Sequence, residues 1–338
     1  MKISLSWLQQ YLKVDLSTDE LSELLTDIGL EVEGIHKYET IKGGLKGIVI
    51  GKILTVDKHP DADRLNLTTV DVGAEDPLQI VCGAPNVAIG LNVPVATVGT
   101  RLYDGDESFK IKRSKIRGQI SNGMICGPDE IGLGPKTDGI MELPEDAEVG
   151  MAGANYFNIN EDIVFEIGLT PNRSDAMSHI GVARDLKAVL NSRGDDLKMC
   201  MPSIKDFKID NKDLTIDVKI ESESLCPRYS GVSISNIIVN ESPDWLKHKL
   251  LSIGINPINN IVDVTNYVLH ETGQPLHAFD TEKILGKEII VKTLSNDKNF
   301  ITLDESNRKL SDNDLMICNA KEPMCIAGVF GGLDSGVT

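Results

Sequence analysis

Two groups of residues in this chain have types and spacing that could do chemistry. The first is His277, placed just after a Gln274-Pro275 turn, with Gly328, Gly331 and Gly332 clustered further along. An imidazole on a loop titrates near neutrality, and neighbouring glycines let a ligand approach the backbone closely. The second is a basic run of Lys110, Lys112, Arg113, Lys115 and Arg117. On one extended strand Arg113, Lys115 and Arg117 would share a face, and a row of cations makes a track for phosphates. Only Tyr103 and Phe109 are aromatic nearby, so stacking is weak, which favours shape and backbone recognition of a folded RNA. Each group also has a plain reading. A loop histidine is ordinarily structural, and a charge run is ordinarily a solvated face. Arg173, His179, Arg184 and Asp185 form a third polar set, but a capped helix bridging to a neighbour accounts for them without catalysis.

The elements that must position these residues follow from periodicity. Alternating apolar segments at 47–56, 65–72, 79–82, 93–98 and 109–116 predict five short strands, separated by Gly, Pro, Asp and Asn turns. Five evenly spaced strands in about a hundred residues suggest a closed oligonucleotide-binding (OB-fold) barrel. Before it, Trp7, Leu8, Tyr11 and Leu12 form a stripe at helical spacing. Ser17 with Glu20 reads as a capping box, and Leu21, Leu24, Leu25 and Ile28 line one face of a helix that stops at Gly29. This opening unit is too small for a core of its own. The segment after the barrel, a strand at 163–167 and a helix to about 190, is its expected partner. Residues 42–44 and 158–162 read as the crossings into and out of an inserted domain. The last third predicts a strand at 228–239, then a helix with Ser242 as cap and Pro243 at its first position. A second helix through Thr265 and short strands at 289–293, 299–303 and 315–318 complete an α+β pattern.

Composition sets further bounds. A formal net charge of −17 repels nucleic acid on average, so any RNA contact must be a local patch. The six cysteines show no CxxC spacing, and most sit among apolar neighbours, which suits reduced thiols buried in a cytoplasmic protein. The N-terminus lacks a long apolar signal core, and no run of about 18 apolar residues could span a membrane.

Three separated motifs, HPDADRL at 59–65, IVCGAPN at 80–86 and KIRGQISNGMICGPDEIGL at 115–133, together resemble the tRNA-binding barrel found in several translation proteins. LTPNRSDAMSHIGVARDL at 169–186, NIVDVTNYVLHETGQPLHAFD at 260–280 and IAGVFGGLDSGV at 326–337 extend the likeness. In order and along the whole chain, they resemble the beta subunit of bacterial phenylalanine–tRNA ligase. That resemblance implies an α+β multidomain protein with three parts. Residues 1–41 and 151–203 would form a discontinuous N-terminal α+β domain. Residues 42–150 would form the inserted five-stranded OB-fold tRNA-binding domain. Residues 204–338 would form a B3/B4-type α+β editing domain, incomplete at its C-terminal end.

The resemblance also implies roles. Thr265, Asn266 and His277 would line a pocket that hydrolyses mischarged tyrosyl-tRNA. His277 and Asn266 would position or polarise water and ester, while Gly328 and Gly331 would admit the amino acid. Lys112, Arg113, Lys115 and Arg117, with Asn86 and Ser121 from the motifs, would face RNA. The partners would be tRNA(Phe) and an alpha subunit in an α2β2 heterotetramer. Aminoacylation with ATP and Mg2+ would belong to the complete enzyme, on the alpha subunit, with no metal or other cofactor held here. No GxxxxGK[ST] motif is present. The family's carboxylate that reads the tyrosine hydroxyl lies in a motif just after SGV, so this chain is expected to stop short of it. Beyond would lie a winged-helix-like region, a noncatalytic synthetase-like core and the anticodon-binding end. Two other readings are a stand-alone tRNA-binding OB-fold protein without hydrolytic activity, and a protein-interaction barrel whose basic run is solvated.

Overall fold

The computed structural model describes residues 1–105 and 107–337. The chain divides into two compact units, Lys37–Asp162 and the two flanking segments Met1–His36 and Ile163–Thr338 taken together.

In the flanking unit, local signals and burial agree. Ser17 accepts from the Glu20 amide while the Glu20 carboxylate accepts from the Ser17 amide, a reciprocal cap on the helix Thr18–Asp27. That helix buries Leu21, Leu24 and Leu25, and Gly29 at φ +85° ends it. Replacing Ser17 with alanine removes the acceptor for the Glu20 amide while keeping the backbone donor, and is expected to lower stability by about 1 kcal/mol, read as a lower urea midpoint with unchanged slope. A three-stranded sheet, ordered Lys2–Ser4, Glu161–Gly168, Glu31–Glu39, lies beside it. Trp7, Leu8, Leu21, Leu25, Phe165 and Leu186 fill one core, so residues before and after the barrel bury each other's apolar faces.

The same unit carries a second sheet. Its order is Asp217–Ile220, Glu288–Thr293, Leu315–Cys318, Pro323–Ile326, Phe330–Gly331; the first pair is parallel and the others antiparallel. Helices Asp244–Ser252 and Asn260–Thr272 precede the long strands. Two expectations are corrected here. Residues 228–239 form no strand: Val232 and Ile234 are 69% and 64% exposed, and the alternation has no neighbouring strand to pair with among the described residues. The helix cap is Pro243 rather than Ser242. The Ser242 hydroxyl instead donates to the buried Asp263 carboxylate at 2.5 Å, and the other Asp263 oxygen accepts the Ile258 amide at 2.8 Å.

The Lys37–Asp162 unit is a nearly closed barrel. Its sheet runs Gly123–Ile125, Asn92–Thr97, Ile48–Lys58, Asn66–Asp71, Leu78–Cys82. The Asn122 amide then donates to Gln79 O at 2.9 Å, and the Val81 amide to Ser121 Oγ at 3.1 Å, drawing the two edge strands together. Ile53, Val70, Ile80, Val93 and Val95 fill the interior. Four strands fall where alternation put them. The fifth does not: residues 109–116 are divided between two small hairpins, Arg101–Asp104 with Glu107–Lys110, and Ser114–Ile116 with Gln119–Ser121. The strand that closes the sheet is Gly123–Ile125.

All six cysteines are free thiols. Cys82, Cys126, Cys318 and Cys325 are buried, and burial pushes the Cys126 thiol up to about 12 and that of Cys325 up to about 11. No helix among the described residues is long and apolar enough to cross a membrane.

Candidate functional site

His277 stands on the loop that follows the helix Asn260–Thr272. Gly273, at φ +80°, terminates that helix in the left-handed conformation that costs a glycine least. The imidazole is open to solvent on one side. On the other it meets the Phe279 ring edge-on, with centroids 4.4 Å apart and planes at 64°. Its second neighbour is Gly331 on the last strand of the sheet. A methyl group added there would lie 2.6 Å from His277 Cε1 and 2.8 Å from Leu303 Cδ1. Gly331 is therefore glycine for room, since the ring and Leu303 occupy the place of a side chain. This cover partly desolvates the imidazole and lowers its pKa below the ordinary value, which favours the uncharged form that accepts a hydrogen bond.

The other expected pocket residues are placed differently. Thr265 and Asn266 lie on the helix Asn260–Thr272. The Thr265 hydroxyl donates to Val262 O at 2.7 Å, within its own helix. The Asn266 side chain has no hydrogen-bond partner among the described residues, and no hydrogen bond joins either residue to His277. Gly328, at φ +71°, is a turn residue: the Val329 amide donates to Ile326 O at 3.0 Å across it, and a side chain there would meet open space. Of the two expected pocket glycines, Gly331 is thus the one pressed against the imidazole. Sequence reasoning missed Phe279 and Leu303. Phe279 stood within the His277 motif, whereas nothing local marks Leu303.

The barrel unit places the cations as follows. Lys112, Arg113 and Lys115 are exposed, but the expected shared face of Arg113, Lys115 and Arg117 does not form, because the strand spans only Ser114–Ile116. Arg117 and Gly118 form the two-residue loop between Ser114–Ile116 and Gln119–Ser121, at φ +46° and +93°. Two positive φ values in such a loop make a type I′ turn, so Arg117 is carried to the hairpin tip. There its guanidinium donates to Asp61 O at 3.3 Å. Asn86 is committed internally: its amide donates to Ile140 O and to Glu142, both at 2.9 Å, and its carbonyl accepts from the Ile140 amide. Ser121 is 2% exposed, and its hydroxyl donates to Gly123 O while accepting from Val81. It fastens the barrel's seam and does not reach the surface.

The polar set set aside as structural is arranged as a helix and its neighbours require. His179 is fully buried. Its Nε2 accepts from the Ser4 amide at 3.1 Å, and its Nδ1 donates to His270 O at 2.8 Å. Arg173 is held by Asp175 and Asp185. Among the described residues no group of three or more His, Cys, Asp or Glu could hold a metal ion.

Comparison with known proteins now adds to this geometry. A family model described as "Putative tRNA binding domain" matches residues 48–152, and one described as "B3/4 domain" matches residues 225–338. A phenylalanine–tRNA ligase beta subunit of Bacteroides thetaiotaomicron is 56% identical over 338 residues, covering all of this chain. Along its whole length the chain is similar to phenylalanine–tRNA ligase beta subunits. Proteins of that name from Porphyromonas gingivalis and Bacillus cereus are 55% and 40% identical, again over the entire chain. The chain spans 41% of the length of each of these relatives. The beta-subunit match runs through the sequence of both compact units.

Proposed function

We propose that this chain is the tRNA-docking and proofreading portion of a phenylalanine–tRNA ligase beta subunit, cytoplasmic, working with an alpha subunit in an α2β2 heterotetramer. ATP and Mg2+ serve aminoacylation in the complete enzyme. No acidic cluster among the described residues fits magnesium. The proposed domains are 1–41 with 151–203, 42–150, and 204–338.

The physical need for a second site is clear. A pocket shaped for phenylalanine excludes tyrosine, which adds a single hydroxyl, by only about 100-fold. Hydrolysis of tyrosyl-tRNA(Phe) supplies the remainder. Water attacks the ester carbonyl, and the bond from that carbonyl carbon to the ribose oxygen of the terminal adenosine breaks. The water proton passes to the departing ribose oxygen, leaving free tyrosine and intact tRNA. The observation that carries this reading is the solvent-reached His277 ring seated on Gly331. Such a ring can orient the water and accept its hydrogen bond. Asn266, with an uncommitted amide, would polarise the ester, and Thr265 would line the pocket. Gly328 and Gly331 would keep the amino-acid side free of side chains. The test is tyrosyl-tRNA deacylation by the complete enzyme carrying His277→Ala.

In the barrel, Lys112, Arg113, Lys115 and Arg117 would meet tRNA phosphates. Changing all four to glutamine is expected to lower the slope of log K against log salt by about 3, if each meets one phosphate. Filter binding of tRNA(Phe) to the holoenzyme over a salt series measures this, and an unchanged slope would return the basic run to a solvated face.

A further inference from the structure

A cleft in the barrel unit is lined by none of the residues of the basic run. Its cavity is about 520 Å³ and is lined by Val56, Lys58, Asp63, Arg64, Asn66, Gly83, Ala84, Pro85 and Val87. That volume lies in the range of about 300–1,000 Å³ typical of small-ligand sites. Two of the three barrel motifs meet here, one supplying Asp63 and Arg64, the other Gly83, Ala84 and Pro85. Lys58 and Asn66 are register partners on adjacent antiparallel strands, so their side chains leave the sheet together. Among the described residues none of the four polar side chains, Lys58, Asp63, Arg64 and Asn66, has a hydrogen bond or ion pair. Some cations elsewhere on the protein are paired, as Lys37 is with Glu161 and Lys219 with Glu288. One wall, Val56, Ala84, Pro85 and Val87, is apolar.

The rim of this cleft is fixed. His59, 5% exposed, accepts the Asp61 amide on Nδ1 at 3.0 Å and donates from Nε2 to Ile116 O at 3.2 Å. Arg117 holds Asp61 O from the hairpin tip. The loop between the first two barrel strands is therefore tied to the hairpin that precedes the last, and these are the two loop regions with which OB-folds grip oligonucleotides.

We propose that this cleft takes one unpaired nucleotide of a folded RNA. Its phosphate lies between Lys58 and Arg64, its base packs on the Val56, Ala84 and Pro85 wall, and Asn66 and Asp63 hydrogen-bond the base edge or the 2′-hydroxyl. The paired charges suit the ligand: two cations answer the phosphate, and the Asp63 carboxylate accepts from an amine or hydroxyl while repelling a free dianion. This rests on the reading of the barrel as an RNA-binding unit.

The test uses the complete α2β2 enzyme and a tRNA(Phe) transcript. Lys58→Gln with Arg64→Gln is expected to weaken binding about tenfold and to lower the salt slope by about 1.5, for two phosphate-facing cations. Asn66→Ala is expected to leave the slope unchanged and to restore 2′-hydroxyl acylation at one nucleotide that the wild-type enzyme protects. Lys58, Arg64 and Asn66 are not buried, and matching melting curves will show the variants folded. If these variants bind and protect as wild type does while the Lys112, Arg113, Lys115 and Arg117 variant loses tRNA, the cleft proposal is overturned and the barrel reading survives. If neither set alters binding, both are overturned.

Discussion

His277→Ala is expected to slow tyrosyl-tRNA deacylation by about 100-fold, the typical cost of removing one well-placed polar group from a hydrolytic site. On the proposed reading, with attachment carried out by the alpha subunit, phenylalanine attachment should keep its rate. Single-turnover deacylation of preformed tyrosyl-tRNA(Phe) reads the first, and initial aminoacylation rates read the second. Gly331→Ala is the companion. Its methyl would fall 2.6 Å from His277 Cε1, and a ring displaced by about 1 Å can lose as much rate as a ring removed. Deacylation lost on both substitutions would place the imidazole at the reacting ester, whereas wild-type rates in both would remove it. The pH profile gives a third reading. Partial desolvation lowers the pKa of His277 below its usual value of about 6.5. The acid limb of the deacylation rate should therefore fall below pH 6.5, and it should vanish in His277→Ala.

Trp7→Ala is expected to destabilise the flanking unit by about 3–5 kcal/mol, the usual cost of emptying a large aromatic site in a core. Trp7 is wholly buried. It stacks on His179 at 4.0 Å and on Tyr267 at 4.7 Å, and its indole N–H donates to the Tyr11 hydroxyl at 2.8 Å. Tyr11 in turn donates to Glu271 at 2.5 Å. The substitution thus opens a cavity and leaves part of a buried polar chain without its donor. Urea unfolding followed by circular dichroism measures the loss, and a change under 1 kcal/mol would show that the stack is dispensable. The same cluster predicts acid sensitivity. Burial lowers the pKa of His179 to about 3, so from about pH 6.5 downwards the unfolded chain takes up a proton that the folded one refuses. Stability should decline through that interval and level off near pH 3, and this part of the decline should disappear in His179→Phe.

Much of the fold was legible because local chemistry and tertiary demand agreed. Ser17 and Glu20 form the cap that their spacing announced, and four barrel strands lie where alternation put them. The failures have physical causes. Gly123–Ile125 hid behind an Asn-Gly pair that reads as a turn, while 109–116 alternates well yet bends at Ile111, whose side chain is drawn into a core. The segment 228–239 has the pattern of a strand but no strand beside it. The candidate site was legible only in outline. His277 stood out by its type and its loop, but Gly331 and Leu303 are brought to it by sheet pairing distant in sequence, which no local pattern records. Ser121 looked available because hydroxyls usually are. Its burial depends on how the barrel closes.

The Thr40 amide donates to Asn160 O at 3.0 Å, and Lys37 pairs with Glu161 at 2.9 Å. Entry and exit of the barrel are consequently clasped at a single neck. A gene segment encoding such a piece could be spliced into, or lost from, an ancestral hairpin in one recombination event, because the host strands need only the spacing that a short turn already provides.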